Sequence, residues 1–109
     1  MAQFDVHKNT GKQRDSIPFV VVVQSSLFDK YRRRVVVPLV RLSSLNSVEA
    51  MTGSALNPVF AIDSVEVMLH PLEVVSVATD QLGEKVDNIS AEGDRIMAAM
   101  DELLTRAWQ

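Results

Sequence analysis

The chain has 109 residues, of which 47% are hydrophobic and 23% are charged, and these proportions are typical of one soluble globular domain spanning residues 1–109. Lys and Arg number 11 against 14 Asp and Glu, and the net charge of −3 favours a protein partner over general phosphate binding. Cysteine is absent, which excludes disulfides, thiolate nucleophiles and Cys-based zinc sites.

The N-terminal stretch MAQFDVHKN lacks the apolar core of a secretion signal. No run in the chain approaches the 18 apolar residues that a membrane span requires. We therefore expect a cytoplasmic protein with no membrane partner.

Valine is concentrated in short runs, and its β-branched side chain fits a pleated sheet better than a helix. A polar, glycine-containing turn over residues 8–15 is expected to join the first two strands as a hairpin. Pro38 has no amide proton to give to a ladder, so we expect it at a strand end, an edge or a bulge. Residues 43–54 are assigned to a loop, and Asp63 with Ser64 suits a tight turn. The predicted strands are Gln3–Val6, Phe19–Gln24, Arg33–Val40, Pro58–Ile62, Val65–Leu69 and Glu73–Thr79.

The last quarter of the chain changes its hydrophobic period from two to three and four residues, which predicts one amphipathic helix running to the end. Ser90 is the expected N-cap, with Glu92 and Asp94 in the first turn. The fold class is therefore mainly β, a small antiparallel sheet or barrel closed by one C-terminal helix. The predicted apolar stripe contains Val86, Ile89, Gly93, Ile96, Met97, Met100, Leu103, Leu104 and Ala107.

Residues that could support catalysis or metal binding do not form a recognisable motif. His7 and His70 have no second ligand at a suitable spacing, so both are interpreted as structural or surface residues. Arg32, Arg33 and Arg34 stand beside Asp29 and could hold a phosphate, but charges at the start of an apolar strand more commonly prevent edge pairing. We predict no catalytic residues, no metal and no cofactor.

Trp108, the only tryptophan, lies one residue from the carboxyl end. On a helix it falls roughly 80° to one side of the apolar stripe. The ring could fold back on Met97, Leu104 or the sheet to close the core. Its place at the tip of a helix favours the alternative, in which a partner covers the indole.

The stretch FVVVVQSSLFDKYRRRVVVPL, residues 19–39, resembles the CcdB family of plasmid-maintenance toxins. The resemblance is specific because the polar members of its motif are not dictated by sheet periodicity. It extends more weakly downstream, for example through Leu82-Gly83-Glu84. The matching positions in residues 19–39 are Val21, Val23, Gln24, Ser25, Asp29, Arg33, Arg34, Val36, Pro38 and Leu39.

The resemblance implies a homodimer with an SH3-like barrel and a C-terminal helix. It also implies a toxin that binds the A subunit of DNA gyrase and traps the complex with cleaved DNA, until a CcdA-like antitoxin releases it. No direct sequence-specific nucleic acid binding is implied. In the family, the last three residues, Trp-Gly-Ile, contact gyrase from the tip of the helix.

The carboxyl end of this chain departs from that pattern, since it reads Ala107-Trp108-Gln109. Aligned without gaps, the family's tryptophan falls on Thr105. Trp108 then lies one helical turn further out, about 4.5 Å along the axis. The resemblance therefore nominates Thr105, Ala107, Trp108 and Gln109 as gyrase-binding residues.

Two other functions stay open. Ribonuclease toxins share this barrel, and a ribonuclease would need a general acid and base, for which Asp29, Arg33 or His70 are candidates. Alternatively, the chain is a regulatory homologue that no longer poisons gyrase.

Overall fold

The computed structural model describes residues 2–45 and 54–105. Within these ranges the chain forms seven strands and one α-helix, so the predicted mainly-β class with a terminal helix is confirmed. The strands are β1 (Asp5–Lys8), β2 (Phe19–Val22), β3 (Arg33–Arg41), β4 (Val59–Ile62), β5 (Val65–Leu69), β6 (Val75–Ala78) and β7 (Lys85–Asn88), and the helix is α1 (Gly93–Leu104).

All seven strands pair antiparallel in one curled sheet: six follow the order β4-β5-β3-β2-β1-β7, and β6 pairs with β3 outside this order. The predicted hairpin between the first two strands is present, with Val6 opposite Val21. The first strand begins two residues later than predicted: Phe4 has a φ of 70°, so its backbone is not extended, while its N–H and carbonyl bond to Val22 and Ile89.

The long strand β3 is shared by three neighbours. One edge pairs with β2, while the other pairs with β6 near Arg33 and with β5 near Leu39. Pro38 lies inside this strand, so the prediction that it lies at a strand end, an edge or a bulge is wrong. Pro38 lies between the part of β3 that pairs with β6 and the part that pairs with β5, where the N–H that proline lacks is not needed for a ladder. Its carbonyl accepts from the His70 N–H at 3.0 Å.

The hairpin between β4 and β5 turns at Asp63 and Ser64, as predicted. Both residues have positive φ, 51° and 67°, which is the backbone of a type I′ turn. This turn matches the right-handed twist of the flanking strands and sets Ile62 opposite Val65.

Strand β7 was not predicted, because Val86 and Ile89 continue the helical spacing of the residues that follow. Val86 lies in β7, which pairs with β1, with His7 opposite Lys85. Ser90 is also not the helix N-cap: it begins a 3-10 turn, and Glu92 precedes the helix. The backbone hydrogen bonds between β1 and β7 therefore outweigh the local helical pattern of these residues.

The core lies between the concave face of the sheet and the helix. Ile96, Ala99 and Met100 of α1 are buried against this face, which places the helix across the sheet. In the described residues, no helix is long and apolar enough to cross a membrane. The sheet residues of the core include Val6, Phe19, Val21, Val37, Leu39, Phe60, Ile62, Val67 and Leu69.

Candidate docking site at the end of the helix

The helix buries one apolar face against the sheet and also exposes two apolar side chains, Met97 and Leu104, on its outer side. Ile96 and Met100 of the predicted stripe are buried, as the pattern required. Met97 and Leu104 belong to the same predicted stripe but are exposed by 40% and 67%. At 100° per residue they lie beyond the arc that the sheet covers.

Leu104 and Thr105 form the last described turn. Leu104 is the final helical residue, and its exposed side chain stands where the helix meets solvent. Thr105 closes the turn: its N–H donates to the carbonyl of Asp101 at 2.8 Å, and its Oγ1 donates to the same oxygen at 2.7 Å. This double contact fixes the helix end at the place where the resemblance puts the partner.

Of the nominated gyrase-binding residues, Thr105 is exposed at this helix end. Ala107, Trp108 and Gln109 lie outside the described residues, so their roles stay predictions. The helix that precedes them, α1, packs its buried residues Ile96, Ala99 and Met100 into the core.

The three candidates for ribonuclease chemistry do not come together. Arg33 begins β3 opposite Ala78, whereas His70 contacts Pro38, five residues further along the same strand. Five extended residues span about 16 Å. Asp29 is also engaged by Arg34, with its Oδ1 3.7 Å from the guanidinium Nε. No general acid and base pair is formed by these residues.

Both histidines behave as structural residues. His7 is 5% exposed, and its Nδ1 lies 2.9 Å from the carbonyl of Gly83, joining β1 to the loop before β7. His70 is half-buried, with its Nε2 3.9 Å from Glu73. In the described ranges, no group of three or more His, Asp or Glu side chains could hold a metal ion.

The arginine cluster divides into three separate roles. Arg34 is buried, and its guanidinium donates to the carbonyls of Asp29, Tyr31 and Arg33. Arg33 instead crosses to β6, where Nε donates to Ser76 Oγ at 2.8 Å and Nη2 to Ser76 O at 2.6 Å. Arg32 is exposed.

Gln24 forms further hydrogen bonds to the segment that joins β2 to β3 and to the start of β3. Its amide nitrogen donates to the carbonyls of Phe28 and Arg33, and its Oε1 accepts from the Val35 N–H at 3.0 Å. Gln24, Asp29 and Arg34 are polar members of the specific motif. The motif therefore builds one rigid loop, residues 25–32, which we call the β2–β3 loop.

The β2–β3 loop exposes a surface that the sequence patterns did not identify. Leu27, Phe28 and Tyr31 are exposed by 83%, 50% and 67%. The loop lies near the start of α1: Ser26 accepts from Gln3, which precedes Phe4, and the Phe4 ring packs against Gly93. The surface is therefore separate from Leu104, since 12 helical residues span about 18 Å.

The family model described as CcdB protein matches residues 3–105 of the chain. The match covers the sheet, the β2–β3 loop and α1. Curated protein sequences give no significant match to the chain.

Proposed function

We propose, from the premise that the chain belongs to the CcdB family of toxins from toxin–antitoxin modules, that it binds the A subunit of DNA gyrase through the end of α1. Binding would trap gyrase on cleaved DNA. The chain would thus act by binding rather than by catalysis, in the cytoplasm where gyrase works.

The exposed end of α1 carries this proposal. Leu104 places an apolar side chain in solvent beside Thr105, on a helix whose opposite face is buried in the core. Exposed apolar groups on a rigid element lose little conformational entropy when a partner covers them. Trp108, four residues beyond Leu104, would supply the main anchor, with Ala107 and Gln109 around it.

A homodimer is part of the proposal, because two helix ends then face a dimeric target. Two surfaces could form its interface. One is the apolar outer face of the sheet, where Val75 is 48% exposed, and the other is the helix face that carries Met97.

A CcdA-like antitoxin is the second proposed partner. It would neutralise the toxin by covering the surface that gyrase uses or by displacing gyrase from it. Its presence should therefore lower the affinity for gyrase A through linked binding equilibria.

Calorimetric titration of the purified chain into the gyrase A subunit tests the proposal. We expect binding by the natural chain and a loss of at least tenfold in affinity for Trp108→Ala, since buried tryptophans are frequent hot spots. Leu72→Ala is the matched control, because Leu72 is 64% exposed outside α1. Equal affinities for the natural chain and Trp108→Ala would refute docking through the helix end.

Toxicity in cells provides a second measurement. Expression should arrest growth in cells with normal gyrase and have little effect where the A-subunit cleft is altered. Equal toxicity in both strains would show that another target is involved.

A further inference from the structure

The β2–β3 loop combines exposed rings with exposed cations. The rings of Phe28 and Tyr31 have centroids 6.3 Å apart and planes tilted by 44°. Lys30, Arg32 and Arg33 are exposed between and beside them. Along the chain, Asp29 and Lys30 separate the two rings, and Arg32 and Arg33 follow the second ring.

The three cations keep their positive charge unneutralised. None of them forms an ion pair with an acidic side chain of residues 2–45 or 54–105. Asp29, the acidic residue of the loop, is paired with the buried Arg34 instead. Asp80 is an acidic residue that lies near Arg32 in space. The residue before it, Thr79, donates its N–H to the Arg32 carbonyl at 2.7 Å.

The surface is also preorganised. The guanidinium of Arg34 donates to the loop carbonyls of Asp29 and Tyr31, and the amide of Gln24 donates to that of Phe28. Arg33 is fixed by its two bonds to Ser76. A ligand that covers Tyr31 and Lys30 would therefore not have to order the backbone that carries them.

We infer that the β2–β3 loop binds single-stranded nucleic acid without sequence preference. Bases would stack on Tyr31 and Phe28, and phosphates would lie against Lys30, Arg32 and Arg33. Lys30, Arg32 and Arg33 form no ion pair within the described residues, and three such cations beside two exposed rings match the phosphates and bases of a nucleic acid strand. The inference concerns a local surface and is compatible with the net charge of −3.

Fluorescence anisotropy with labelled 15-nucleotide oligo(dT), oligo(U) and a 15-base-pair duplex tests this site. We expect both single strands to bind more tightly than the duplex, and a preference between them would identify the biological strand. Tyr31→Ala should weaken binding about tenfold, whereas Tyr31→Phe, which retains the ring, should stay within about twofold of the natural chain.

The paired change Lys30→Gln with Arg32→Gln should weaken binding and reduce the slope of log affinity against log salt by about 1.4, or 0.7 for each lost phosphate contact. Lys12→Gln with Arg14→Gln is the matched control, because both of these residues are exposed in the β1–β2 connection. Equal effects of the two pairs would overturn the site in favour of general electrostatics.

A fluorescence signal separates this inference from the gyrase proposal. In Trp108→Phe, Tyr31 is the only tyrosine and no tryptophan remains. Stacking should quench Tyr31 emission in this variant even though the proposed gyrase anchor is removed. The inference would be overturned if oligo(dT) and oligo(U) left the Tyr31 emission unchanged. It would also be overturned if Tyr31→Ala lost gyrase A binding but kept its oligonucleotide binding.

Discussion

Arg34 and Asp29 are joined twice, by a 2.8 Å hydrogen bond from Nη2 to the Asp29 carbonyl and by a 3.7 Å approach of Nε to the carboxylate. The guanidinium is buried, while the Asp29 side chain is 35% exposed. Asp29 and Arg34 are polar members of the sequence motif, and their contact shapes the β2–β3 loop.

Replacing Arg34 by Ala should therefore destabilise the fold. The change leaves the carbonyls of Asp29, Tyr31 and Arg33 without the donor that they share, at a cost of about 3 kcal/mol in the free energy of unfolding. Urea unfolding measures this value. Arg32→Ala serves as the control, because Arg32 is exposed and should change stability by less than about 0.5 kcal/mol. Equal stability of the two variants would contradict the role of Arg34.

The fold could be predicted from the sequence where the signal was local. Runs such as Val35–Val37 identified strands, and Asp63 with Ser64 identified a turn, because β-branched side chains and turn residues act within a few positions. Strand β7 could not be identified this way. Its residue Val86 keeps the helical spacing, and only the pairing of β1 with β7 across the sheet decides its structure.

The candidate site divides in the same manner. The amphipathic period located the helix, and the family resemblance pointed to Thr105 at its end. Exposure is a tertiary property, so the period alone did not show that Leu104 faces solvent while Met100 is covered. The exposed rings of Phe28 and Tyr31 were missed for that reason, since an apolar residue in a loop gives no periodic signal.

Acid should destabilise the chain through Asp5. Burial by itself raises the pKa of this carboxyl, but hydrogen bonds from Asn88 and the Ala2 N–H, together with Lys85, outweigh burial and hold the pKa below the ordinary 3.8. A lowered pKa stabilises the fold at pH values above the unfolded pKa, and this stabilisation is lost as the pH falls through the folded pKa.

The free energy of unfolding of the natural chain should therefore fall with decreasing pH below about 4, and Asp5→Asn should flatten this dependence. Urea titrations between pH 6 and about 3 measure both slopes. Asp80→Asn is the control for an exposed carboxyl and should leave the slope close to that of the natural chain. An unchanged slope in Asp5→Asn would show that another group controls acid stability.

Ser64→Gly should stabilise the β4–β5 hairpin. Ser64 has a φ of 67°, a conformation that costs a side chain about 1 kcal/mol and costs glycine little. We expect the free energy of unfolding to rise by about 0.5 kcal/mol after the greater chain entropy of glycine is subtracted. Ser90→Gly, at an exposed position without positive φ, should instead lower it. A loss of stability in Ser64→Gly would contradict the type I′ assignment.

Leu104→Gln should separate toxicity from stability. Because Leu104 is 67% exposed, the free energy of unfolding should change by less than about 0.5 kcal/mol. The same change removes an apolar group from the proposed contact with gyrase, so growth arrest should be relieved and gyrase A affinity should fall about tenfold. Leu72→Gln is the matched control: it makes the same substitution at a leucine that is 64% exposed in the 3-10 turn Pro71–Glu73. It should leave toxicity and gyrase A affinity unchanged. If both variants lose toxicity equally while remaining folded, the partner does not distinguish the helix end from the rest of the apolar surface, and the docking site must lie elsewhere.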